Sequence, residues 1–216
     1  MDRIEKTDVK VKELFNMPAA GDEGTDPEFM HILQRYIFGE VCYTGSLDNR
    51  MRELITITAL ATLQTLPQLR SHVAACLNVG CTPVEIREVV YQCAPFIGFP
   101  KTLNAISAMN DAFKTAGIEL PLPAQGTAAD GDRYERGLEI QRPIYGDEIK
   151  ERYTWLPGDF AEAVPRWLTE LGFGDFSTRT GLDGKTRELL TVIILAALGG
   201  AEVQLRSHVA GALKTG

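Results

Sequence analysis

Seven consecutive residues, Gln68-Leu69-Arg70-Ser71-His72-Val73-Ala74, return unchanged as Gln204 to Ala210. Internal repetition constrains a fold more than any other sequence feature, because two copies of one unit must bury equivalent faces. The likeness extends upstream. "FGEVCYTGSLDNRMREL" (38–54) aligns without a gap on "FGDFSTRTGLDGKTREL" (173–189). Further back, "DPEFMHILQRYIF" is similar to "PGDFAEAVPRWLTEL", with Phe29 opposite Phe160 and Tyr36 opposite Trp167. The second copy carries one extra residue between its Arg-Glu-Leu and Arg-Ser-His segments, which predicts a longer turn there. The chain is a duplicated unit.

Each unit reads as helices. Asp48 and Asp183 stand at N-cap positions ahead of strong helix formers. Leu54 to Leu63 is apolar nearly all round, which predicts a central, buried helix. Leu69, Val73, Cys76, Leu77 and Gly80 follow the spacing of one buried helix face with a glycine stop. "TPVE" (82–85) is a capping box opening a helix to about Cys93, and Pro100 opens another that stops at Gly117. No stretch alternates apolar and polar residues as a strand does, so the expected fold class is all-α.

These boundaries divide the chain into a first repeat (1–117), a linker (118–132) and a second, partial repeat (133–216). The linker "IELPLPAQGTAADGD" is rich in Pro, Gly and small residues. Residues 133–153, charged with scattered apolar positions, read as a connecting surface helix. Gly216 answers to Gly80, so the second copy has no counterpart of residues 81–117. Either a longer natural chain or a covering partner is expected to hide the apolar faces left bare.

Composition bounds the function. A net charge of −7 argues against nucleic acid as a partner. The longest apolar run, Leu189 to Leu198, is too short for a bilayer, and the charged N-terminus is not that of a secretory signal. Cys42, Cys76, Cys81 and Cys93 show neither a CxxC nor paired zinc-ligand spacing, so no metal is expected. A cytoplasmic protein with reduced thiols follows. No GxGxxG, Walker loop or GxSxG is present, and no cofactor is expected.

The strongest candidate chemistry is Arg52-Glu53 with His72, mirrored by Arg187-Glu188 with His208. If the interhelical turn centres near residue 64, Glu53 lies level with about position 75. His72 is then about 4.5 Å away along the axis, at a 1.5 Å rise per residue. Such a pair can tune an imidazole for acid–base work. A structural reading stands beside it, in which Glu53 pairs with Arg52 and His72 flanks the apolar stripe. His72 and Cys76 are one turn apart, but Ala212 replaces the cysteine in the second copy, so Cys76 reads as core. Cys81 and Cys93 read as small buried hydrophobes. His31 has no evident acidic partner, and Met51 and Met109 fit helical core spacing.

"RELITITALATL", the histidine helix, "NVGCTPVEI" and "GFPKTLNA" together closely resemble the carboxymuconolactone decarboxylase family, over nearly all of residues 28–117 and again from about 158 to 216. The resemblance implies all-α helical-bundle repeats that assemble into trimers or hexamers, tandem members looking like two fused subunits. It implies two chemical branches. A disulfide reductase or peroxidase branch needs a CxxC one turn ahead of the histidine, where this chain has Thr65 and Gln68, then Ala201 and Gln204. The other branch removes carbon dioxide from a small lactone acid such as 4-carboxymuconolactone, without a cofactor. There His72 is the implied proton donor, Glu53 its orienter and Arg52 an anion contact, with His208 and Glu188 at a second site. A non-catalytic oligomeric binding protein is the competing class. By this reading the partners are a small carboxylate substrate and further copies of the chain, in a trimer of tandem chains. Neighbouring copies would cover Leu205, Val209 and Leu213.

Overall fold

The computed structural model describes residues 1–216, the side chain of Glu148 excepted. The first repeat holds α1 (Arg3–Phe15), α2 (Pro27–Ile37), α3 (Asn49–Leu63), α4 (Leu66–Asn78), α5 (Pro83–Gln92), α6 (Ala94–Ile97) and α7 (Phe99–Thr115). The second holds α8 (Arg133–Tyr145), α9 (Glu148–Arg152), α10 (Phe160–Trp167), α11 (Gly184–Leu198) and α12 (Glu202–Thr215). A wide π-type segment, Leu168–Ser177, prolongs α10. No strand occurs among the described residues, and no helix there is long and apolar enough to cross a membrane. The all-α expectation holds.

Local chemistry sets the helix ends. The Asp48 carboxylate accepts the Met51 N–H at 2.8 Å, and Asp183 accepts that of Thr186 at 2.7 Å, each satisfying a donor that the first helical turn leaves bare. The Thr82–Glu85 capping box forms reciprocally, at 3.2 and 2.7 Å. Between α3 and α4 the turn is Gln64-Thr65. Between α11 and α12 it is Gly199-Gly200-Ala201, which accounts for the extra residue.

The two repeats share one core. Leu54, Ile57 and Ala61 of α3 are buried in the same cluster as Leu190 and Ile194 of α11, with Val89, Val90, Met109 and Phe113 around them. The apolar spans 54–63 and 189–198 meet within it. Fully burying an Ile or Leu is worth about 1.5–3 kcal/mol, so this seam is a large part of what joins the halves. Leu63 and Leu198 remain outside it, exposed at 57% and 41%.

A buried ionic knot reinforces the seam. Glu88 of α5, with no exposed surface, accepts from Arg179 at 2.8 and 3.0 Å, from Arg87 at 3.2 and 3.3 Å and from Arg187 of α11 at 3.4 Å. Arg87 also donates to the Leu122 and Pro123 carbonyls at 3.2 and 2.8 Å. Residues 118–132 join α7 to α8 as expected, but they are fastened to both repeats. Thr180 N–H donates to the Gln125 carbonyl at 3.1 Å.

The reading of residues 133–153 as a surface connector is corrected. α8 packs on the π-type segment, with Gly137 and Gln141 buried, and the Thr169 hydroxyl donates to Gln141 at 2.6 Å. Gly174 lies so close to α8 that a Cβ there would stand 2.2 Å from the Arg133 carbonyl oxygen. Its repeat-one counterpart, Gly39, makes the same approach to α1, at 2.6 Å from the Arg3 carbonyl oxygen. α8 is therefore the structural equivalent of α1. Both are 13 residues long, beginning at Arg3 and Arg133 and ending at Phe15 and Tyr145.

Candidate active site

In each repeat a helical hairpin brings a glutamate near the start of one helix against a histidine in the second turn of the next. His72 Nδ1 lies 2.7 Å from Glu53 Oε2, and His208 Nδ1 lies 3.1 Å from Glu188 Oε2. Both carboxylates are buried, and both imidazole side chains keep a little under a fifth of their surface exposed. A carboxylate on Nδ1 favours a proton on that nitrogen, leaving Nε2 to trade a proton with a bound molecule.

The second site holds a third group, absent from the sequence-level candidates. Tyr145 Oη lies 2.5 Å from Glu188 Oε2 and 2.6 Å from His208 Nδ1, its ring edge-on to the imidazole at 5.2 Å. Burial, then the bond to Glu188, holds this phenol far above its ordinary range. It stays neutral and donates its single proton to the carboxylate. The proton in the contact with His208 then comes from Nδ1–H. In the first repeat Phe15 stands edge-on to His72 at 5.3 Å, with no hydroxyl to offer.

A cavity of about 230 Å³ opens beside Tyr145, Glu188 and His208. Its apolar wall includes Phe173 and Leu195 from the second repeat and Pro95 and Phe96 from the first. Arg152 brings a positive charge to the lining, and Gln92 a side-chain amide. The site is thus built from both repeats. A small, mostly apolar pocket with few convergent polar groups is the ordinary form of a small-molecule site.

The arginines beside the glutamates also hold backbone carbonyls. Arg52 donates to the carbonyls of Leu47, at 3.0 Å, and of Thr44, tying down the loop before α3. Arg187, buried, donates to the Arg179 and Thr180 carbonyls at 2.9 and 3.4 Å and to Gln92 at 3.0 Å. Burial pushes its pKa below the ordinary guanidinium range. The structure brings Glu53 to His72 and Glu188 to His208, and spends Arg52 on the loop.

The cysteines are free thiols, Cys76, Cys81 and Cys93 being buried. Burial pushes Cys42 and Cys76 up, and Cys93 up to about 12. A hydrogen bond with Cys76 pulls Cys81 down. His31 does have an acidic neighbour, contrary to expectation: Asp22 Oδ1 lies 3.8 Å from its Nε2, on an exposed carboxylate. Among the described residues no three His, Cys, Asp or Glu side chains converge as metal ligands would.

Tyr145 escaped sequence reasoning because its helix carries little identity to α1. One signal was available: Arg3 and Arg133 each precede an aromatic residue by 12 positions, and each helix has a glutamate two residues after the arginine.

Comparison with known proteins adds the following. Residues 27–111 and 162–216 match the carboxymuconolactone decarboxylase family. Over 91 residues, 42% of this chain and 68% of the relative, the sequence is 33% identical to the 4-carboxymuconolactone decarboxylase of Acinetobacter baylyi. Over 75 residues, 35% of this chain, it is 28% identical to the nitrosuccinic acid decarboxylase of Metarhizium robertsii, spanning 52% of that protein's length.

Proposed function

The chain belongs to the carboxymuconolactone decarboxylase family, and from that premise we propose that it is a cofactor-independent carboxy-lyase acting on a small unsaturated lactone acid, such as 4-carboxymuconolactone. The observation that carries this reading is the mostly apolar cavity that His208, oriented by Glu188, lines.

The chemistry asks little of the protein. In such a substrate the carboxylate leaves a carbon conjugated with the lactone carbonyl. As the bond to the carboxylate carbon breaks, its electron pair moves into the conjugated system and onto the carbonyl oxygen. Carbon dioxide departs, and the enolate takes a proton at carbon. In this proposal protonated His208 delivers that proton from Nε2 and recovers one from water, while Glu188 steadies Nδ1–H. In this proposal the substrate carboxylate and the developing enolate oxygen face the polar part of the lining, where Gln92 Nε2, which donates to Thr191 at 3.2 Å, keeps a second N–H. The apolar wall excludes water and favours the loss of charge as neutral carbon dioxide forms. No step needs an external electron acceptor. Glu53 and His72 form the equivalent pair in the first repeat.

Support for this branch over thiol chemistry comes from the residues ahead of the histidines. The turn before His208 carries Ala201 and Gln204, and burial raises three of the four thiols. The test is direct. The purified protein is incubated with 4-carboxymuconolactone and related unsaturated lactone acids, and carbon dioxide release is followed. Turnover that disappears in His208→Asn supports the reading. Absence of turnover across the panel, or turnover untouched by that substitution, overturns it.

A further inference from the structure

We infer that Tyr145 is a positioning residue that clamps the His208 imidazole in one orientation and one tautomer, and that the second repeat has been shaped around its hydroxyl. The inference rests on the reading of His208 as the proton donor.

Two observations meet here. The first is the closed triangle: Tyr145 Oη at 2.5 Å from Glu188 and 2.6 Å from His208 Nδ1, with Nδ1 and the carboxylate 3.1 Å apart. Three heavy-atom contacts share two protons, those of the phenol and of Nδ1. Rotation of the imidazole about its Cβ–Cγ bond breaks two of the three, so the ring is held more firmly than a single glutamate could hold it.

The second observation is the space given to the hydroxyl. Gly211 lies inside α12, where glycine costs about 1 kcal/mol relative to alanine in helix propensity. A Cβ at Gly211 would stand 2.6 Å from Tyr145 Oη, its nearest neighbour, and 3.0 Å from Tyr145 Cζ and from Ile144 Cγ2. No real side chain tolerates the shorter distance. In the first repeat the position aligned with Gly211 is Ala75, fully buried, and the ring beside that histidine is Phe15. The larger aromatic is thus paired with the smaller helix residue, and the smaller aromatic with the larger. Simple packing would not require the exchange, since phenylalanine with alanine already fills the equivalent space in repeat one. The glycine makes room for an oxygen atom, and that oxygen bonds the proposed acid–base pair.

The experiment compares the wild type with Tyr145→Phe and Gly211→Ala. Phenylalanine at 145 reproduces the ring present at the equivalent place in the first repeat, so this variant is expected to fold. Gly211→Ala keeps the phenol and displaces it. Histidine ring ¹⁵N and Nδ1–H signals are assigned through His31→Asn and His72→Asn variants. The wild-type His208 ring is expected as a single Nδ1–H tautomer with a slowly exchanging proton. In both test variants that proton is expected to exchange faster and the ring to sample both tautomers, while the His72 signals stay in place. On a lactone acid that turns over, kcat is expected to fall roughly tenfold with KM within threefold and the kcat profile against pH displaced. That loss is short of the ~10²–10⁴ expected for removing a proton-transfer group itself. His208 signals that match wild type in folded Tyr145→Phe overturn the inference, as does an unmoved pH profile. If no acid is decarboxylated by any of the proteins, the functional reading fails, and the ring signals still decide the role of Tyr145.

Discussion

Phe96, on α6 of the first repeat, stands edge-on to His208 of the second, with 5.9 Å between ring centroids. An aromatic side chain from one repeat thereby forms part of the wall around the imidazole of the other. Truncating it to alanine removes apolar cover without touching the hydrogen-bonded triangle. Phe96→Ala should therefore raise KM by roughly tenfold and change the kcat profile against pH little. Steady-state kinetics across pH check this, and an unchanged KM would remove Phe96 from the binding wall.

The Glu88 knot predicts a large stability effect. Removing the carboxylate by Glu88→Ala leaves three guanidinium groups in place, with Arg187 wholly inside. Breaking a buried ion pair from one side typically costs 3–5 kcal/mol, and a loss of at least about 3 kcal/mol is expected in urea unfolding at neutral pH. Glu88→Gln, which keeps one acceptor, should lose less. A near-neutral Glu88→Ala would show that the cluster holds the seam no better than packing does.

Acid should loosen the helix starts. Asp183 lies below the ordinary carboxylate range because the Thr186 backbone N–H, then its side chain, hold it ionised. Burial alone would raise Glu85, but the Thr82 N–H and hydroxyl together with Arg50 keep it low. Both are depressed in the folded state, so their stabilisation is complete above the unfolded carboxylate range and is lost as pH falls through the folded values. The cost of Asp183→Ala, about 1 kcal/mol at neutral pH for a lost N-cap, should shrink as pH drops below about 4. Chemical denaturation at stepped pH measures it. A cost that grows in acid contradicts the sign.

Cysteine replacement should spare catalysis. A variant with alanine at Cys42, Cys76, Cys81 and Cys93 is expected to keep any decarboxylation within a few-fold, though buried thiols at 76, 81 and 93 will cost stability. Carbon dioxide release from the still-folded fraction is the measurement. Loss of turnover there would bring thiol chemistry back.

Association is expected through faces that remain bare. Phe29, Ile32 and Tyr36 of α2 are exposed at 63%, 58% and 59%, and Val209 and Leu213 of α12 at 42% and 80%. Exposed apolar side chains gathered on a helix face can form an interface, and we propose that copies of this chain meet through these helices as a trimer. Light scattering at micromolar concentration should return about three times the 23.8 kDa chain mass. A stable monomer contradicts it.

Much of the fold was legible because duplication doubles weak signals. N-caps, the capping box, the longer second turn and the Glu–His register all follow from local sequence, and the structure reproduces them. The pairing of α3 with α11 was not legible. Periodicity shows that a face is apolar without saying which other face meets it, and the seam joins residues far apart in sequence. Arg52 illustrates a second limit. A guanidinium next to a candidate base reads as an anion contact, but nearby loop carbonyls were an equally good partner, and only backbone geometry chooses. Tyr145 marks the third. Its helix shares little identity with α1 beyond the arginine, glutamate and aromatic spacing, and the close approaches at Gly39 and Gly174 establish the equivalence.

The wall from one repeat and the hydrogen-bonded triangle from the other have a genetic consequence. In a symmetric pair of identical subunits, one codon specifies the same residue at both sites, so any change made for one site is imposed on the other. Joining the units in a single reading frame removes that obligation. Phe96 and Phe15, or Tyr145 and Gly211, can each be altered at one site while the other keeps its composition. Copies of an ancestral unit can then specialise in sequence without giving up the core they hold in common.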